Sequence, residues 1–139
     1  MSALTANRDT REVRCNAMNI TRQHVVATGS HVYAGSIAAS DATGKAVPAS
    51  DTSGLRVTGR AEHGAAAGET LTSKSGVYVF ANSATHPLTA ADLNNLCYVE
   101  DDQTVAKTGG SNSVKAGVFR GFDRDGVGVL VELGNIRET

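Results

Sequence analysis

From about Gln23 onward, short runs of apolar or alternating residues are separated by clusters of Gly, Ser, Asp, Asn and Thr. Apolar residues at every second position fit a pleated strand with one covered face, and this pattern dominates the chain. It predicts strands over His24–Thr28, Ser36–Ser40, Lys45–Ala49, Gly54–Glu62, Glu69–Lys74, Gly76–Ala81, Cys97–Glu100, Thr104–Thr108, Ser113–Phe122 and Gly126–Leu133. In the last run Val127, Val129 and Val131 alternate with Gly128, Leu130 and Glu132, and Leu133 continues the Val face. Such a strand is covered on one side and partly on the other. The expected fold class is all-β: a compact small-strand β-barrel or sandwich with one short helix and an extended N-terminal arm.

The punctuation between runs supports this reading. Asp41-Ala-Thr-Gly44 and Asp123-Arg-Asp-Gly126 each begin with an Asp that can bond to nearby amides and end on a Gly that tolerates positive φ, so both are expected to be hairpin turns. The helix candidate is Leu88–Asn95, where Thr89 and Asp92 have capping-box spacing and Pro87 bars helix on the N-terminal side. An internal echo runs through the chain. The stretches beginning at Tyr33 and at Leu93 each read as polar turn, short apolar strand, acidic turn and second short strand, and each is followed by a Gly-centred strand, around Gly59 and Gly117. Two similar β units are therefore expected.

Residues 1–20 break the pattern. Arg8, Arg11 and Arg14 are spaced like a helix face, Val13, Cys15 and Ala17 alternate like a strand, and the apolar content is low. The segment reads either as a frayed terminus or as an arm that orders on a partner, and the arm is the expectation carried forward, with the three arginines as its polar contacts. Residues 21–139 then form a single β domain.

Composition narrows the picture further. A chain of 139 residues buries roughly two-thirds of its unfolded surface, but aromatics are 4% and Trp is absent, so the core must come from Ala, Val, Leu and Ile. Thirteen basic and fourteen acidic residues leave a net charge of -1. No global field draws the protein to nucleic acid or an anionic membrane, and neither is expected as a partner. No run is long enough to span a bilayer, and the N-terminal residues lack the apolar stretch of a secretory signal, so synthesis and folding in a cytoplasm are expected. Cys15 and Cys97 lie far apart with no metal-ligand spacing and read as two thiols in a reducing compartment.

Candidate chemistry is sparse. Glu100, Asp101 and Asp102 follow Cys97 and Tyr98 closely, but between two strand candidates they read as a solvated hairpin tip, without the spacing of a calcium loop. His24, His31, His63 and His86 are dispersed. No serine lies in a nucleophile elbow, and Cys97 has no companion His in sequence. Gly64–Thr70 has the glycines of a phosphate loop without its Gly-Lys-Ser/Thr ending and reads as a flexible turn. Ala116–Gly128 can be aligned with a Gly-rich motif of trimeric nucleotide hydrolases, but without matching motifs elsewhere. The expectation is no catalytic residue, no metal and no cofactor.

Three blocks carry a family resemblance: YAGSIAASDATGKAVPASDTSGLRVTGRAE, then GAAAGETLTSKSGVYVFANSATHPLTAADLNNLCYVEDDQTVAKTGG, then VKAGVFRGFDRDGVGVLVEL. From about Tyr33 to Leu133 the chain resembles the capsid decoration, or cement, proteins of tailed bacteriophages. The resemblance implies a virion protein on the outer surface of the expanded head, made in the host cytoplasm, that binds the major capsid protein and copies of itself, often as a homotrimer. It implies no catalytic residues, and the arm lies outside it. Two alternatives stand beside it: a trimeric β-fold hydrolase acting on a small phosphorylated substrate, and a virion module that binds the host surface.

Overall fold

The computed structural model describes residue 6 and residues 20–134. Arg8, Arg11, Arg14, Cys15 and the arm expected to carry them lie outside the described residues, apart from residues 6 and 20. The described chain is almost entirely β. Its strands are β1 (Thr21–Val25), β2 (His31–Val32), β3 (Ile37–Ser40), β4 (Ala46–Pro48), β5 (Arg56–Ala61), β6 (Ala65–Ala66), β7 (Thr70–Lys74), β8 (Gly76–Asn82), β9 (Leu96–Val99), β10 (Thr104–Ala106), β11 (Lys115–Phe122) and β12 (Val129–Leu133). The expected helix is a single 3-10 turn, Ala90–Asp92. Asp92 Oδ2 accepts both the backbone N–H of Thr89 (2.8 Å) and its hydroxyl (3.1 Å), so the Thr–Asp pair does fix the start of that turn.

Three local expectations need correction. The first strand runs from Thr21 to Val25 rather than from His24 to Thr28, because Val26 leaves the β7 ladder to form a lone parallel bridge with Ala46. Strands β2 and β6 were not foreseen; at two residues each they are too short to show an alternation. Gly64–Thr70 is therefore not a free turn: Ala65 and Ala66 pair with Val32 and His31, and Glu69 Oε1 accepts the Ala66 N–H at 2.7 Å.

The strand pairings repeat. One sheet has the order β1-β7-β5-β3-β4, and the closed barrel runs β8-β12-β11-β9-β10. In each unit the two strands following the central one pair antiparallel with it, β3 with β4 and β5, and β9 with β10 and β11. The barrel closes by parallel pairing of β8 with β10, and the sheet's two edges meet in the same sense through the Val26–Ala46 bridge. Even the hydrogen bonds correspond. The Ala27 N–H donates to Ala46 O as the Ser83 N–H donates to Val105 O, both at 2.9 Å. The first unit differs in carrying the extra β2–β6 pair.

A bulge sits at the same place in both units. Gly59 lies opposite Ala38 with Thr58 as the extra residue, and Gly117 lies opposite Cys97 with Ala116 as the extra residue. Glycine is required by close approach: a Cβ at Gly59 would lie 2.6 Å from Lys74 O, and one at Gly117 would run into Glu132 O. This is the physical content of the echo heard around those two glycines.

The corresponding interiors are filled differently. Ala61 lies opposite Ser73, and its counterpart Phe119 lies opposite Val131. Phe119, Phe80, Cys97, Val105, Val129 and Val131 fill the second unit. The first is lined by the smaller Val26, Ala38, Ala46, Ala61 and Leu71, and Val32 and Ala65 of the added β2–β6 pair complete its core. The units join through β3, whose Ala38 faces its own core while Ile37 and Ala39 face the other. There the Ile37 N–H donates to Asp102 O at 2.8 Å. Tyr78 also crosses the junction: its hydroxyl donates to Lys74 O at 3.1 Å, and Arg60 Cζ lies 4.7 Å from its ring centroid.

Candidate functional site

The acidic run is a structural turn. The Glu100 N–H donates to Thr104 O as the Asp41 N–H donates to Lys45 O, so the Glu100–Gln103 tip is the counterpart of the β3–β4 hairpin. Glu100 Oε1 accepts the Ser83 hydroxyl at 2.7 Å, Asp101 Oδ1 accepts the Gln103 N–H at 2.9 Å, and the Asp102 carbonyl takes Ile37. The other turn carboxylates are likewise committed. The Thr43 hydroxyl, with the Lys45 amide, holds Asp41 below the ordinary carboxylate range, and the Val127 and Gly128 amides do the same for Asp125.

Cys97 is fully buried, its Sγ 3.6 Å from Gly117 O, and burial pushes its thiol up from 9.0 to about 12. A thiol held protonated in this way is a core residue rather than a nucleophile. His63 accepts the Thr72 N–H through Nε2, and the His31 ring packs against that of Tyr33 in a tilted contact, with centroids 4.4 Å apart. Among the described residues no three His, Cys, Asp or Glu side chains converge as a metal site would require. Ala116–Gly128 forms strand β11 and the hairpin turn after it. No helix of the described residues is long and apolar enough to cross a membrane.

The surface feature that stands out lies on the outside of the barrel. Val77 and Val79 of β8 are 44% and 49% exposed, and Leu96 of β9 is 38% exposed. Between them lie the half-buried Leu130 of β12, opposite Val79, and Val118 of β11, opposite Leu96. Five apolar side chains thus form a stripe across four neighbouring strands. Glu132 lies within it, opposite both Val77 and Val118, and is paired with Arg120 at 3.3 Å. Near one end Val127 is 71% exposed at the β11–β12 turn.

The first unit shows that the fold does not require this stripe. Thr21 lies opposite Lys74 as Val77 lies opposite Glu132, Gln23 opposite Thr72 as Val79 opposite Leu130, and Arg60 opposite Lys74 as Val118 opposite Glu132. The same outward positions are therefore Thr21, Gln23, Thr72 and Arg60 in one unit and Val77, Val79, Leu130 and Val118 in the other. The difference belongs to the surface, and an exposed apolar patch rimmed by polar groups is a mark of an interaction site.

Sequence reasoning missed this stripe, although a signal was present. In Gly-Val-Tyr-Val-Phe-Ala both the Val77/Val79 face and the Tyr78/Phe80 face are apolar, as in a strand covered on both sides. Comparison with protein-family models, with curated proteins and with solved structures finds no match to this chain.

Proposed function

We propose that this protein is a capsid decoration protein of a tailed bacteriophage, binding the outer surface of the expanded head and bracing contacts between capsomers of the major capsid protein. The observation that carries the reading is the outward apolar stripe on a closed β-barrel whose twin unit is polar at four of the five matching positions, the fifth, Leu96, matching the buried Ile37. It joins the resemblance of residues 33–133 to the cement-protein family. A packaged genome loads its shell outward, and a protein docked across capsomer borders adds interface that must be broken before the shell opens. Many copies acting together, as homotrimers in this reading, gain avidity from individually modest contacts. The rigid barrel presents the stripe without an ordering cost, and residues 1–20 with Arg8, Arg11 and Arg14 supply a second, polar contact.

The test is partition between capsid states. Purified protein mixed with DNA-filled heads and with unexpanded precursor shells of the host phage should cosediment with the former alone. Equal binding to both, or to neither, refutes the reading. Deleting residues 1–20 should leave the fold intact while weakening attachment, and undiminished binding by the truncated protein refutes the role of the arm.

A further inference from the structure

The second position-by-position contrast between the units lies at one mouth of the first. A cavity of about 310 Å³ is lined there by Arg22, His24, Ser40, Arg56, Thr58 and Lys115, with Val57 and Gly134 completing its wall. Two arginines and a histidine converge on it beside Lys115, and among the described residues no Asp or Glu lines it. This local excess of positive charge sits on a chain whose net charge is -1.

The twin unit again serves as the control. Arg22 lies opposite Ser73 as Tyr78 lies opposite Val131, and His24 opposite Leu71 as Phe80 opposite Val129. Ser40 lies opposite Ala46 as Val99 opposite Val105, and Arg56 opposite Ser40 as Val114 bonds to Val99. The bulge residues Thr58 and Ala116 also correspond. At this mouth Tyr78, Phe80, Val99, Val114 and Ala116 belong to the second unit's apolar core, whereas Arg22, His24, Ser40, Arg56 and Thr58 leave the first unit's mouth polar and cationic. The fold is served by apolar residues here, so the cations answer to something else.

We propose that this mouth is a docking site for an acidic segment of a protein partner, which inserts one carboxylate between Arg22 and Arg56. The geometry suits that ligand. Arg22 Nη1 donates to Thr58 O at 3.0 Å, which fixes the guanidinium while leaving other N–H groups for a ligand. Arg56 is exposed and sits on β5, separated from β1 by β7 in the sheet order, with His24 on the flank. The donors are side chains carried on strands, and planar guanidinium groups match a carboxylate's two oxygens. The site is separate from the apolar stripe, and the reading does not depend on the capsid assignment.

Isotope-labelled protein titrated with a capped Asp-Glu-Asp peptide, and separately with inorganic phosphate, tests this. The peptide should shift the His24 ring signals and the amides of residues 57 and 58, with an affinity that falls as salt is raised. Arg56→Glu should weaken the peptide at least about tenfold, the scale of one charge-assisted contact, and Arg22→Met should also weaken it. Arg124→Glu, at the exposed β11–β12 turn, should leave it unchanged. No shift with the peptide, or the same affinity in Arg56→Glu, overturns the proposal. Shifts with phosphate and none with the peptide also overturn it, in favour of the phosphorylated-substrate alternative.

Discussion

The carboxylate of Asp51 accepts the backbone N–H of Asn112 at 3.0 Å and that of Ser111 at 2.9 Å, and Asn112 Nδ2 returns a bond to Asp51 O at 2.9 Å. Asp51 belongs to the β4–β5 connection and Asn112 to the β10–β11 connection, so this clasp ties a loop of one unit to a loop of the other. Asp51→Ala should lower stability by about 1–2 kcal/mol, the value of charge-assisted bonds at a partly exposed site. Urea unfolding should show a lower midpoint with an unchanged slope; a midpoint equal to wild type would mean the clasp contributes nothing.

Gly117→Ala should be far worse than Gly126→Ala. A Cβ at Gly117 collides with the Glu132 carbonyl inside the β11–β12 ladder, whereas at Gly126, with φ +73°, it meets nothing within 4 Å. The turn variant should lose about 1–2 kcal/mol for the left-handed conformation alone. The bulge variant must also push β11 and β12 apart, and its loss should exceed that of the turn variant by both thermal and urea unfolding. Equal losses would show that the strand pair yields freely.

Phe119→Ala removes the largest fully buried side chain from the second core and should cost about 3–5 kcal/mol. Its counterpart tests the reverse. Ala61→Phe forces a ring into a smaller interior already completed by Val32 and Ala65 and should destabilise by about 1–3 kcal/mol through overpacking. Unfolding curves of the two variants settle the comparison, and a neutral Ala61→Phe would mean that the first core is loosely filled.

Cys97 gives a prediction in pH. Its folded pKa, about 12, lies above its unfolded value near 9.0. The unfolded chain therefore loses the proton first, so stability from this group is intact below pH 9 and declines as pH rises from 9 toward 12. Cys97→Ala should flatten that decline. In the folded protein the thiol should resist a disulfide reagent at pH 8 and react only as the protein unfolds; rapid labelling of Cys97 under native conditions would contradict its burial.

How far the chain could be read in advance follows from which signals are local. The Asp41–Gly44 and Asp123–Gly126 turns were legible because an Asp that bonds nearby amides and a Gly at positive φ are sequence-local devices, although in the second turn the carboxylate that bonds the amides is that of Asp125 rather than of the leading Asp123. Gly59 and Gly117 were visible only as an echo, since the reason for glycine is a carbonyl on another strand. The exposure of Val77 and Val79 was not legible, because alternation reveals that a face is apolar, not whether anything covers it. The Arg22 and Arg56 mouth was hidden for the same reason. Its residues are far apart in sequence, and their meaning appears only beside Tyr78 and Val114, which hold the matching places in the other unit.

That comparison also isolates the docking face. Val79→Lys and Leu96→Lys place charges on an exposed surface, so they should leave the unfolding free energy within about 0.5 kcal/mol of wild type. If the stripe is the capsid contact, each should weaken binding to expanded heads at least about tenfold, because a desolvated charge without a partner costs more than the apolar contact it replaces. Gln23→Lys puts the same charge at the position in the first unit that matches Val79, on a face already polar, and should bind as wild type does. Head binding measured by cosedimentation for all three separates a specific face from general charge repulsion. Equal losses in all three would point to repulsion, and no loss at Val79 or Leu96 would remove the stripe from the capsid contact.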